Sequence, residues 1–99
     1  MSFRVRYTRG ARDDLHRLFS FLAEQDLPAA RRARKAIAKS TELLGDFPWS
    51  CRKAVADNPF LRELVIPFGG GGYVALFEIQ DEHTVTILAL RHQREDDFI

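Results

Sequence analysis

The chain has 99 residues with 45% hydrophobic and 29% charged side chains, which describes one globular domain rather than a disordered segment. A net charge of +1 argues against a dedicated duplex-binding protein, and a single cysteine, Cys51, excludes an intramolecular disulfide and suits the cytoplasm. With no apolar run of about 20 residues and no apolar leader at the N-terminus, neither a membrane span nor secretion is expected.

In chain order, Ser2 to Tyr7 alternates: Phe3, Val5 and Tyr7 point one way, and Arg4 and Arg6 the other. That is a half-buried strand with a basic outer face. Thr8 offers an N-cap oxygen, and Ala11, Leu15, Leu18, Phe19 and Leu22 recur at helical spacing from Arg9 to about Gln25. Phe21 falls off that stripe. A second helix starts at Pro28, which fits a first turn because its missing N–H costs nothing there. Its apolar stripe of Ala30, Ala33, Ile37 and Leu44 is thin, its other face is basic through Arg31, Arg32, Arg34, Lys35 and Lys39, and Gly45 is the expected cap.

Asp46 to Pro59 reads as an irregular connection, with Phe47 and Trp49 expected to anchor it in the core. From Phe60 to His92 three β-branched and aromatic runs follow, broken by Gly69 to Gly72 and by Asp81-Glu82-His83. These are consecutive antiparallel strands. The expected fold is therefore α+β, a single domain over residues 1–99: an N-terminal strand, a two-helix hairpin and a three-stranded antiparallel meander, β-α-α-β-β-β. The glycines lack the Lys-Ser/Thr of a phosphate loop and run into a strand, so they read as a hairpin tip.

Nothing has the spacing of a metal site, and Cys51 has no context that marks a nucleophile. The best candidate for chemistry is the end of the last strand, where His92 stands between Arg91 and Arg94. An imidazole can serve as general base, and arginines can stabilise charge on a phosphate being attacked by a 2′-hydroxyl. Against this stands the plain reading, that His92 bonds a backbone group and shapes the strand end.

The chain resembles the RelE/ParE superfamily of type II toxin–antitoxin toxins. The resemblance rests on the element order, on Val5-Arg6-Tyr7-Thr8 leading to Ala11-Arg12-Asp13-Asp14-Leu15, on Phe60 to Leu64 with Gly72 to Ile79, and on Ile87 to Phe98. RelE-like members are ribosome-dependent endoribonucleases, whereas ParE-like members share the fold and inhibit DNA gyrase. Matched stretch by stretch, Arg62 and His92 keep two of the nuclease positions. Leu64, Val74 and Phe98 replace two basic residues and a tyrosine, and a phenylalanine moves no proton. These departures favour the ParE-like branch.

The resemblance implies a toxin that poisons gyrase through Arg91, His92, Arg94 and Phe98, with no cofactor and no metal. It implies a cognate ParD-like antitoxin seated on Phe21, Leu27, Arg31 and Arg34, in a toxin–antitoxin heterotetramer. The alternative is a RelE-like mRNA endoribonuclease using His92, Arg62 and Arg94.

Overall fold

The computed structural model describes residues 2–94. In it the chain runs β1 (Arg4–Tyr7), α1 (Arg9–Ala23), α2 (Leu27–Glu42), two single 3-10 turns (Leu43–Gly45 and Pro48–Ser50), β2 (Arg52–Val55), β3 (Asn58–Phe68), β4 (Gly71–Ile79) and β5 (Thr84–His92). The strands form one sheet in the order β1-β5-β4-β3-β2, with β1 parallel to β5 and every other neighbour antiparallel. The α+β architecture and the helix hairpin match the sequence expectation. No helix is long and apolar enough to cross a membrane among the described residues.

Both helices start on the caps their sequences supply. The Thr8 hydroxyl accepts from the Ala11 N–H at 3.1 Å, and the Asp26 carboxylate accepts from the Ala29 N–H at 3.0 Å, which satisfies donors the helix itself leaves open. α1 buries Ala11 and Leu18; α2 buries Ala30, Ala33, Ile37 and Thr41. The small ones among them, Ala11, Ala30 and Ala33, suit a close approach, and α1 lies against α2 and β5, and α2 against β3. The sheet answers with Ile66, Phe77, Val85, Ile87 and Leu90 on the helix-covered face. Burying a side chain such as Phe77 completely stabilises the fold by about 1.5–3 kcal/mol.

Three expectations are corrected. The connection after α2 is not wholly irregular: it contains β2, which pairs with β3 through Arg52↔Glu63 and Lys53↔Arg62. The meander therefore has four strands. Phe47 and Trp49 do not anchor that connection in the core, being 62% and 49% exposed; Leu44 and Pro48 are the buried pins. Gly45 is not a left-handed helix cap, because α2 stops at Glu42 and tightens into a 3-10 turn. Its carbonyl accepts from the Phe3 N–H at 2.6 Å, and an added Cβ would sit 3.2 Å from the Phe3 carbonyl oxygen. Glycine is placed there by the close approach of the chain just before β1.

The glycine run divides in two. Phe68 pairs with Gly71, so only Gly69 and Gly70 form the loop, and Gly69 alone has a positive φ, +58°. A glycine with positive φ at the first loop position is the pattern of a type II′ hairpin, whose twist suits the flanking strands. Gly71 and Gly72 belong to β4, and an added Cβ on Gly72 would overlap the Ile66 carbonyl oxygen.

Candidate functional site

The site is built on the stretch of β5 that runs beyond β1. The last register pair between the two strands is Tyr7↔Ile87. Past it, α1 takes over the edge: the Thr8 N–H donates to the Ile87 carbonyl at 2.9 Å and the Thr8 hydroxyl to the Leu88 carbonyl at 3.2 Å. The Asp14 carboxylate then accepts the Leu90 N–H at 2.9 Å. On the other side the pairing with β4 shifts at Leu76/Phe77, which leaves Leu88 out of register. A bulge re-aims the side chains that follow it.

After the shift, Leu90 and His92 share the core face, and Arg91 lies on the other face. The register agrees: His92 pairs with Tyr73, a core residue, and Arg91 with Val74. Successive strand residues point to opposite faces, so the basic cluster of the sequence is split across the sheet. The His92 ring stands edge-on to the Tyr73 ring at 5.6 Å between centroids. A Cβ at Gly71 would meet its Nε2 at 3.2 Å, so the glycine leaves the imidazole its place. His92 Nδ1 accepts the Arg94 N–H at 3.1 Å, which leaves Nε2 to carry the proton of a neutral ring. The Arg91 guanidinium turns back toward the His92 and Gln93 carbonyls at 3.3 and 3.4 Å.

On the core face, the C-terminal half of α1 and the β3–β4 hairpin stand apart and leave a cleft of about 740 Å³. Leu18, Leu22, Phe68 and Tyr73 supply its apolar lining, and Gly69 to Gly71 form one lip. Among the described residues, Arg17, His92 and Arg94 supply its polar lining. Phe21 also lines it and is 67% exposed, the most exposed large apolar side chain among the described residues. Arg17 is tied to Asp14 at 3.9 Å, the same carboxylate that closes the β5 edge.

The structure thus joins three residues that the sequence reading held apart: Phe21 from the expected antitoxin surface, and His92 and Arg94 from the expected target surface. Leu27, Arg31 and Arg34 do not line this cleft. Leu27 is 42% exposed at the start of α2, Arg31 is exposed, and the Arg34 guanidinium lies 5.3 Å over the Phe19 ring. Phe98 lies outside the described residues.

Arg62 is elsewhere. It pairs with Phe77 while His92 pairs with Tyr73, so four residue steps along β4 separate them, about 13 Å at the usual strand rise. Its Nε donates to the Pro59 carbonyl at 2.8 Å, and its Nη1 to the Trp49 and Cys51 carbonyls at 3.1 and 2.7 Å. It also lies 5.2 Å over the Trp49 ring, which in turn meets Phe60 edge-on at 5.8 Å. Burial pushes the Cys51 thiol up, with Arg62 pulling it partly back, so the thiolate a nucleophile needs is disfavoured. Among the described residues no group of His, Cys, Asp and Glu is placed to hold a metal ion.

Sequence reasoning missed Arg17, Phe68 and Tyr73 as cleft residues. The available signal was the hairpin: a two-residue loop fixes the β3–β4 register, and that register puts Phe68 and Tyr73 on one face.

The model of a family described as the ParE toxin of the type II toxin–antitoxin system parDE matches residues 5–97. Among solved structures, the fold is similar to a chain of the chromosomal ParDE toxin–antitoxin system of P. aeruginosa, at 18% identity over 92% of this chain and 96% of that one, with a TM-score of 0.75. It is also similar to a chain of the RelBE2 toxin–antitoxin complex of Mycobacterium tuberculosis, at 26% identity over 96% and 95% of the two chains, with a TM-score of 0.66. No curated protein matches the sequence.

Proposed function

The chain belongs to the ParE toxin family of type II toxin–antitoxin systems, and from that premise we propose that it arrests growth by binding and poisoning DNA gyrase until a cognate antitoxin covers it. Its working surface is the cleft end of the sheet, with His92 and Arg94 facing the target. Arg91 reaches the target only if the contact wraps onto the open face of the sheet.

The observation that carries the choice of binding over cleavage is the placement of Arg62. A cleaving centre needs the general base and the cations that stabilise the phosphate to converge on one atom. Here the one retained strand arginine spends its donors on three backbone carbonyls, offset from His92 by about 13 Å along the strands and by two strands across the sheet. Val74 and Leu64, at two further nuclease positions, carry no charge and pack within the sheet. Losing one electrostatic group of this kind typically costs ~100-fold or more in rate.

The test is supercoiling by purified gyrase with and without the purified chain, with cleaved DNA scored in the same reactions. Inhibition with accumulation of cleaved DNA is expected. No inhibition at excess protein, together with cleavage of mRNA on translating ribosomes, would overturn the reading in favour of a RelE-like nuclease.

A further inference from the structure

We infer that the outer ridge of α2, formed by Arg31, Arg32, Lys35 and Lys39, is a contact for the sugar-phosphate backbone of duplex DNA, independent of base sequence. The inference rests on the reading above only for the source of that DNA, the duplex that gyrase holds.

At 3.6 residues per turn these four side chains fall within an arc of about 100°. The buried residues of α2, Ala30, Ala33, Ile37 and Thr41, lie on the opposite side of the helix. All four cations are exposed, and among the described residues none of them has an ion pair or a side-chain hydrogen bond. Arg34 stands apart from the ridge, over the Phe19 ring. From Leu27 to Thr41 the helix carries no carboxylate.

The two helices differ in how they arrange charge. A solvated helix face usually interleaves signs, and α1 does so: Arg9, Asp13 and Arg17 alternate at four-residue spacing, and Arg17 also meets Asp14 at 3.9 Å. α2 sets Arg31, Lys35 and Lys39 at the same spacing with one sign. Like charges so placed destabilise a helix, so the ridge works against its own element. Local conflicts of this kind concentrate at functional surfaces.

The ridge suits phosphates better than a peptide. Arg31, Lys35 and Lys39 follow one another at about 6 Å along the helix axis and span about 12 Å. One DNA strand sets a phosphate every ~3.4 Å of duplex axis, so the ridge meets a run of them. A protein segment needs an apolar seat as well as charge. Between Arg31 and Lys39 the one exposed apolar side chain is Ala38. Because the whole chain carries only +1, the field of the ridge is local and is screened within ~8 Å at physiological salt. The ridge therefore does not gather DNA from solution at that salt; it grips a duplex that the target already presents.

The experiment measures binding of the purified chain to a fluorescent duplex of about 20 base pairs, by anisotropy, from 50 to 200 mM salt. Four phosphate contacts predict a slope of log K against log salt near −3.6, about a 100-fold loss of affinity over that range. Arg32→Gln with Lys35→Gln should bring the slope to about −1.8 and weaken binding about 10-fold at 50 mM. The same change of charge in Arg4→Gln with Arg6→Gln, two exposed positions on β1, should leave both unchanged. The α2 variant should unfold no earlier than wild type on heating, since it relieves like-charge repulsion, and should need about tenfold more protein for the same yield of gyrase-cleaved DNA. Absence of duplex binding at 50 mM, equal losses in the two variants, or a polyglutamate peptide bound more tightly than the duplex would overturn the inference; the last assigns the ridge to an acidic protein segment. Gyrase poisoned equally by wild type and the α2 variant overturns it too, with the reading above intact. A chain that binds the duplex with the predicted slope but leaves gyrase untouched supports the contact and removes that reading.

Discussion

At one end of the β3–β4 ladder Arg62 lies over the Trp49 ring and gives its N–H groups to the carbonyls of Trp49, Cys51 and Pro59. At the hairpin end Arg17, His92 and Arg94 surround a cleft with Phe21 and Tyr73. Both ends carry a cation beside exposed aromatic surface, so residue type does not separate them. What separates them is the backbone. The chain around Arg62 leaves carbonyls without a strand partner, and the guanidinium closes them. At the hairpin end the carbonyls and N–H groups are already taken by strand pairing and by α1, through Gln93 N–H on the Gly72 carbonyl at 2.9 Å and Leu90 N–H on Asp14. The Arg62 end closes its own backbone; the His92 end is the one we propose as the working surface.

The largest effect that would break this comparison comes from Gly72→Ala. Its methyl group would overlap the Ile66 carbonyl oxygen and crowd the Gln93 amide, so the hairpin end must shift. A loss of about 2–3 kcal/mol in urea unfolding is expected, with target binding impaired as well. Arg62→Ala removes three hydrogen bonds from a charged donor, and about 2 kcal/mol of stability should go with them. Gyrase inhibition should survive it once the fold is verified by circular dichroism.

Asp14→Ala tests the junction of the two regions. It leaves the Leu90 N–H without its acceptor and should cost about 1–2 kcal/mol, with faster hydrogen exchange at Leu90 and slow exchange kept at β2. Tyr7→Phe is the smallest. Tyr7 Oη and Thr41 Oγ1 are 2.7 Å apart, and their bond is worth about 1 kcal/mol. Burial raises the Tyr7 hydroxyl above its ordinary value of 10.0, with the Thr41 bond partly offsetting it. The neutral phenol is therefore favoured by folding. That contribution is whole below the unfolded value and is lost as pH rises through the folded one. Stability should fall in alkaline solution above about pH 10, and less steeply in Tyr7→Phe, with Tyr73 and Cys51, also raised by burial, supplying the remaining slope.

Much of the fold was legible because it is written in local pattern. The Phe3-Val5-Tyr7 alternation, the cap Thr8, Pro28 in the first turn of the second helix and the stripe from Ala11 to Leu22 all act within a few residues. β2 was not legible. Arg52-Lys53-Ala54-Val55 has no apolar alternation, and it is a strand because β3 accepts it and the Arg52 Nε bonds the Glu63 carboxylate at 3.0 Å. Trp49 looked like a core anchor because its contact is with a guanidinium and a ring edge, neither of which shows in local sequence. At the site, His92 and Arg94 were readable from the strand end. Their split from Arg91 followed from strand alternation. Their union with Phe21 did not, since it depends on how α1 lies across the sheet.

The most direct test of the division between the two ends is induction without antitoxin of three chains: wild type, Arg62→Ala, and His92→Ala with Arg94→Glu, with folded protein level matched. Growth arrest and gyrase inhibition in wild type and Arg62→Ala, and their loss in the double variant, is the predicted result. Arrest abolished by Arg62→Ala and retained by the double variant would contradict it, and would place the working surface at the Trp49 end.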